Sequence, residues 1–294
     1  MTRLALNLGC AVLLMLAIAC ESALAQKTAG PQGPEEGVIR RQTWLIPAQD
    51  RITLMWTMVS RPPGDGPFPL AVISHGTTGS ALRRAQFRRP QFAVMTEFLV
   101  AHGYAVAVPQ RPGHGETGGP YYEDHGPCAK VDYRKAGLNA GAAIAAAIDY
   151  MTHQPFVQKK GVLAVGQSGG AWASLALASQ KYPPLKAVVA FAPGLGGRID
   201  DTPGRNCAPD RLIATAHGFG ERTNVPSLWL YAENDSFFGP KLSRKLADAY
   251  RMAGGRAEYH LLPALAGDGH NLISANDGVP LWRPLVESFL KALR

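Results

Sequence analysis

Short apolar runs alternate with longer helical segments along most of this chain, and that alternation constrains the fold more than any other feature. Leu70-Ala71-Val72-Ile73-Ser74, Tyr104 to Val108, Gly161 to Val165, Lys186 to Phe191, Ser227 to Tyr231 and Ala257 to Leu262 read as strands. Their nearly continuous apolar character suits strands covered on both faces of a parallel sheet. Gln91 to His102, Val131 to His153, Gly169 to Gln180, Pro240 to Ala253 and Val279 to Leu293 read as helices. Gly103 stops the first of these, and Pro183 and Pro184 follow the third. Strands alternating with helices require right-handed crossovers. The expected fold class is therefore α/β, a doubly wound, mostly parallel sheet of about eight strands with helices on both faces. Arg51 to Val59 alternates polar and apolar residues, as an antiparallel strand with one wet face does, and Arg61 to Pro69 is expected to be a hairpin loop. Pro193 to Val225, dense in Gly, Pro, Asp and Asn, lacks a clear period and is expected to be a loop-rich insertion, with no large lid domain.

The 294 residues are 46% hydrophobic and 18% charged, which fits one large α/β domain better than two. A chain of this size buries a core without needing a metal or disulfide framework. The first 25 residues stand apart from the fold: Arg3, the apolar stretch Ala11-Val12-Leu13-Leu14-Met15-Leu16, then Ala23-Leu24-Ala25 as a small-residue cleavage site before Gln26. Residues 1–25 thus read as an export signal, 26–37 as a flexible linker and 38–294 as the folded domain. The expected destination is the periplasm or the exterior. The alternative is a lipoprotein signal, cleaved before Cys20 in Ala17-Ile18-Ala19-Cys20, with a lipid anchor on that cysteine. Beyond the leader remain Cys128 and Cys207, which either pair in an oxidising compartment or stay as two buried thiols. Their spacing matches no zinc site, so no metal is expected. The net charge is +8, with Arg83, Arg84, Arg88 and Arg89 crowded together. No nucleic-acid motif or interleaved aromatic platform accompanies them, so they read as a solvated basic face and no nucleic acid is expected as partner.

The chemistry centres on Gly166-Gln167-Ser168-Gly169-Gly170. G-x-S-x-G alone is a weak signal, but here it follows the apolar Val162-Leu163-Ala164-Val165 and opens the helix Ala171-Trp172-Ala173-Ser174-Leu175. A serine on such a sharp strand-to-helix turn projects its hydroxyl at the carboxyl edge of the sheet, over a helix N-terminus that favours negative charge. The hydroxyl needs a base to become nucleophilic. His270 lies in the glycine-rich Gly267-Asp268-Gly269-His270, after the last strand, whereas His102, His153 and His260 fall in or beside regular elements. Asp235, just past the strand ending near Tyr231, is placed to orient that base, with Glu233 and Asp268 as rivals. Ser74-His75-Gly76-Thr77-Thr78-Gly79 follows a buried strand and offers the N–H of Thr77 which, with that of Gly169, would face a developing oxyanion. On this reading the Thr77 side chain matters little. His75 and Gln167 are the candidate substrate contacts, and Trp172 fits core packing better than the pocket.

Together the His75-Gly76 pair, the turn Arg111-Pro112-Gly113-His114-Gly115, the Ser168 turn, Asp235 and His270 resemble the α/β-hydrolase superfamily. Within it the chain is similar to the dienelactone hydrolase-like and prolyl-oligopeptidase-like serine esterases. The resemblance implies a Ser168–His270–Asp235 triad acting on a small-molecule ester through an acyl-enzyme, without a cofactor. One departure stands out: dienelactone hydrolases use a cysteine nucleophile where this chain has Ser168, which favours ordinary esters. A peptidase or amidase on the same scaffold, or a non-catalytic envelope protein binding a ligand in the same crevice, are the alternatives.

Overall fold

The computed structural model describes residues 28–293. The leader at residues 1–25, and with it the alternative lipid site at Cys20, lies outside the described residues. Nine strands form one sheet: β1 (Gly30–Glu36), β2 (Arg41–Pro47), β3 (Leu54–Ser60), β4 (Leu70–Ser74), β5 (Ala105–Pro109), β6 (Val162–Gln167), β7 (Leu185–Phe191), β8 (Ser227–Ala232) and β9 (Ala257–Leu262). Their spatial order is β1-β2-β3-β5-β4-β6-β7-β8-β9. The first three are antiparallel, β3 runs antiparallel to β5, and all pairings from β5 to β9 are parallel. Among the described residues seven α-helices accompany them: α1 (Ala81–Ala85), α2 (Ala93–Ala101), α3 (Tyr133–Thr152), α4 (Gly169–Ala178), α5 (Pro209–Gly220), α6 (Pro240–Met252) and, after the last strand, α7 (Val279–Ala292).

The two cores follow from the strand's period of two. Leu70 and Val72 of β4, Val162 and Ala164 of β6, and Trp229 and Tyr231 of β8 point to one face, against α3, α4, α5 and α6. Their neighbours Ala71, Ile73, Leu163, Val165, Leu228 and Leu230 point to the other, against α2 and α7. Both faces are covered, so the central strands carry no polar side for water and read as unbroken apolar runs. The alanine-rich α3 lies tight against α4: a Cβ on Gly137 would come within 3.0 Å of the Trp172 ring, and one on Gly141 within 3.1 Å of the Ala173 carbonyl. Trp172 itself is fully buried, and its indole N–H donates to the Tyr133 carbonyl at 3.0 Å, so it belongs to the core.

Three expectations are corrected. Much of the stretch read as a flexible linker is β1, an edge strand paired with β2 from Gly30 opposite Leu45 to Glu36 opposite Arg41. Its two prolines conceal it in the sequence and are tolerated because an edge strand leaves half its backbone groups unpaired by a ladder. Arg61 to Pro69 is not a hairpin loop: β3 pairs with β5, and β4 lies between β5 and β6. The insertion from Pro193 to Val225 contains a twelve-residue helix, α5, opened by Pro209 and burying Leu212, Ala216 and Phe219 at helical spacing.

Cys128 and Cys207 form a disulfide with Cα atoms 5.2 Å apart and 79 positions between them in sequence. In the chain-entropy account, closing a loop that long is worth about 4 kcal/mol against the unfolded state. Cys128 is exposed and open to a reductant. Reduction is expected to lower the melting temperature by roughly 5–15 °C, read from thermal scans with and without a dithiol.

Candidate active site

The parallel strands deliver their carboxyl ends to one rim of the sheet, the edge where α/β proteins assemble sites. From that rim come the segment 75–79 after β4, the turn 111–115 after β5, Ser168 after β6, Gly194 and Leu195 after β7, Asp235 after β8 and His270 after β9. A cavity of about 520 Å³ is lined there by Thr77, Tyr121, Ser168, Leu195, Phe237 and Phe238, among others.

Ser168 sits between β6 and α4 at φ 56° and ψ −123°, backbone angles that an L-residue adopts only when its surroundings enforce them. The neighbouring glycines supply the enforcement. A Cβ on Gly166 would fall 2.4 Å from the Ala171 nitrogen, and one on Gly170 would fall 2.1 Å from the Ser74 carbonyl oxygen. Neither backbone can yield, so any larger residue at these two positions would push the turn apart. Gly76 presses from the other side, its Cβ position 3.3 Å from the Cβ of Ser168.

Asp235 is buried, and its carboxylate accepts from the backbone N–H of Phe237 at 2.8 Å and of Phe238 at 2.9 Å. The same carboxylate faces Nδ1 of His270 at 3.1 and 3.2 Å. A carboxylate only accepts, so Nδ1 carries the proton and Nε2 is left with its lone pair. Phe237 stacks on the His270 ring, centroids 4.0 Å apart and planes 23° from parallel. Gln167, beside Ser168, donates from Nε2 to the His270 carbonyl at 3.0 Å and ties the two loops together. No hydrogen bond joins the Ser168 hydroxyl to the His270 ring among the described residues.

Asp268 and Glu233 take other places. Asp268 accepts from the His270 N–H at 3.0 Å and from Ser236, capping the short turn that carries His270. Burial works to raise its pKa, but the Ser236 hydroxyl and the two backbone N–H groups outweigh that and hold it below the usual carboxylate range. Glu233 is exposed and makes none of these contacts.

The backbone nitrogen of Thr77, a cavity residue, lies 3.5 Å from where a Cβ on Gly169 would stand, so the two residues adjoin. His75 does not line the cavity. It is fully buried, donates from Nδ1 to the Gly76 carbonyl at 2.6 Å and accepts the Arg111 N–H on Nε2 at 3.0 Å. Burial, with help from Arg111 and His114, holds its pKa well below the ordinary histidine value, so it is a neutral strut. Gln167 is likewise outside the cavity lining, engaged with the His270 loop.

Sequence reasoning missed several wall residues. Phe237 and Phe238, two and three positions past Asp235, were a readable aromatic signal. The pairing of Arg111 with Glu123, both buried, had none. Arg111 also donates to the Ser74 hydroxyl and the His75 carbonyl, bracing the segment that leads to Thr77. The basic cluster is less solvated than expected: Arg84 lies 3.6 Å over the Tyr121 ring, and Arg89 lies 3.8 Å over Trp56 while pairing with Glu116. Among the described residues no three His, Cys, Asp or Glu side chains gather into a set able to hold a metal ion, and no helix is long and apolar enough to cross a membrane.

A family model described as the alpha/beta hydrolase family matches residues 71–292. The chain belongs to the alpha/beta hydrolase family. Solved structures of this fold include an acetyl xylan esterase from Paenibacillus sp. R4, 17% identical, with 91% of this chain and 90% of that one superposed at a TM-score of 0.62. An esterase from Pyrococcus furiosus is 16% identical over 91% of this chain and 97% of its own, at a TM-score of 0.58. A puromycin-hydrolyzing peptidase from Mycobacterium tuberculosis is 17% identical over 78% of this chain but only 36% of its own, at 0.57. Identities this low speak for the alpha/beta hydrolase fold alone. No curated protein matches the sequence. Membership makes the chain a hydrolase of this family and leaves its bond and substrate to be argued from the site.

Proposed function

We propose that this hydrolase is a serine esterase that cleaves carboxylic esters through an acyl-enzyme. The observation that carries the reading is the His270 ring held through Nδ1 by the buried Asp235 carboxylate, on the segment after β9 at the same rim of the sheet where Ser168 stands at positive φ beside the cavity. A proton fixed on Nδ1 leaves Nε2 as the free base, which is what a serine hydroxyl requires. Ser168 Oγ attacks the ester carbonyl while His270 Nε2 takes its proton, and the Thr77 and Gly169 N–H groups receive the negative charge on the carbonyl oxygen. His270 returns the proton to the departing alcohol. Water, deprotonated by the same ring, then attacks the acyl-enzyme, and the carboxylic acid leaves as Oγ regains its proton. In resting sites the hydroxyl–imidazole bond is commonly long and shortens when substrate arrives.

An ester is the substrate to test first, since two esterases share this fold over nearly their whole length. A fluorophosphonate probe should label Ser168, and a p-nitrophenyl ester should turn over about a thousandfold or more faster than its matched anilide. Absence of labelling on folded protein would sink the serine mechanism; comparable rates on both substrates would move the reading to an amidase.

We propose also that the chain is exported. The Cys128–Cys207 disulfide accords with an oxidising compartment, and the leader motif accords with secretion. The mass of the protein recovered from its native cell should correspond to a start at Gln26; a diacylated Cys20 would replace this with the lipoprotein reading.

A further inference from the structure

The Thr77 hydroxyl is committed to a directed hydrogen-bond chain, contrary to the expectation that this side chain matters little. Thr77 Oγ1 lies 2.9 Å from His114 Nε2 and 3.1 Å from the Tyr121 hydroxyl. The direction of each bond follows from what each atom can do. His114 Nδ1 faces only carbonyls, Pro112 at 3.2 Å and Arg111 at 3.3 Å, so it must carry the ring proton. Nε2 therefore accepts, and the single proton of Thr77 goes to it. Thr77 Oγ1 then has only lone pairs left, and one of them takes the Tyr121 proton.

Burial above all pushes His114 down to about 4, with Arg111 adding to it and Glu123 opposing, so the ring keeps this neutral form across the neutral range. The ring has little freedom to turn. It meets His75 at 4.8 Å, Phe87 at 5.5 Å and Tyr121 at 5.6 Å between centroids, all near edge-to-face. Tyr121 is fixed in turn, with the Arg84 guanidinium over its face and Gly113, at φ 79°, so close that a Cβ would fall 2.7 Å from the Tyr121 backbone.

We propose that this chain, Tyr121 to Thr77 to His114, is a positioning device for the oxyanion site: it holds the Thr77 backbone N–H at the cavity, beside Gly169. The proposal rests on the serine-hydrolase reading above. Thr77 and Tyr121 both line the cavity, where a free hydroxyl would bond substrate or water. The Thr77 proton is instead spent on His114, so its side chain cannot donate to an oxyanion. Its contribution runs through the backbone it holds. The Thr77 methyl stands 2.8 Å from where a Cβ on Gly169 would be, so this side chain packs directly against the residue that carries the second donor.

Thr77→Val keeps the N–H and the branched shape and removes only the oxygen. It is expected to lower kcat on a p-nitrophenyl ester by about ten- to a hundredfold, with KM held within about twofold, because the lost interaction serves the transition state. Thr77→Ser should recover most of that loss. Tyr121→Phe should cost less than Thr77→Val, and the double variant should be no slower than Thr77→Val alone, since both act through one chain. The rate of fluorophosphonate labelling should fall in the same order, because the phosphonyl oxygen occupies the same donors. Wild-type kcat in Thr77→Val, a rise in KM alone, or independent effects in the double variant would overturn the proposal. Should Thr77→Val fail to fold by thermal melting, unchanged labelling of Tyr121→Phe overturns it equally. Loss of the serine reading looks different: the wild-type protein itself then fails to label.

Discussion

Ser168→Ala is expected to lower kcat for ester hydrolysis by about four to six orders of magnitude and to abolish fluorophosphonate labelling. The size follows from the role proposed for the oxygen: it is the atom that bonds the acyl carbon, and nothing else at the rim replaces it. What remains is the polarising effect of the two N–H groups on a bound ester, worth about a thousandfold over water. Stability should change little, because alanine at φ 56° and ψ −123° is held by the same glycine contacts as serine. Initial rates on the purified variant, beside its melting curve, check both statements. A folded variant that keeps a tenth of the activity would show that the serine is not the nucleophile. The rival of a non-catalytic ligand-binding protein predicts no turnover in either form.

Asp235→Asn is expected to lower kcat by about ten thousandfold while leaving KM nearly unchanged. The carboxylate accepts from Phe237 and Phe238 as well as facing His270 Nδ1. In the asparagine variant the amide oxygen can keep the two backbone donors, and the amide nitrogen then points its hydrogens at Nδ1. Nδ1 must give up its proton to accept them. The proton moves to Nε2, and the ring can no longer take one from serine. The fold survives, since the loop from Asp235 to Phe238 keeps its hydrogen bonds. Kinetics as a function of pH, with the proton-bearing nitrogen assigned by NMR, test the account. A loss smaller than about tenfold would mean that another group, Asp268 being the nearest acidic candidate, orients the imidazole.

The parts of the fold most legible in the sequence were those where one physical demand dominated. β4, β6 and β8 are buried on both faces, so apolar runs betrayed them. The Ser168 turn was legible because its geometry excludes side chains at Gly166 and Gly170, leaving a mark in the letters themselves. Asp235 and His270 were found by their order after successive strands, a matter of topology. β1 was hidden because an edge strand is specified by its partner β2, with Leu45 and Trp44 facing Gly30 and Pro31, and its own residues carry no period. α5 was hidden by its glycines and by the irregular chain around it, although Leu212, Ala216 and Phe219 held the spacing. The bond between Thr77 and His114 spans 37 positions and depends on which nitrogen holds a proton. No string of letters states that.

The floor beneath Ser168 and the walls around it obey different rules. Beneath the serine, backbone meets backbone at Gly166 and Gly170 with no room for a single added carbon. The walls are built of side chains on connecting segments, Leu195 after β7 and Phe237 and Phe238 after β8. The three walls are not equivalent: Phe237 stacks on the His270 ring and Phe238 lies beside it, so trimming either would loosen the imidazole along with the cavity. Leu195, which has no such contact with the ring, is the wall to vary first if the shape of the cavity is to change while His270 keeps its seat.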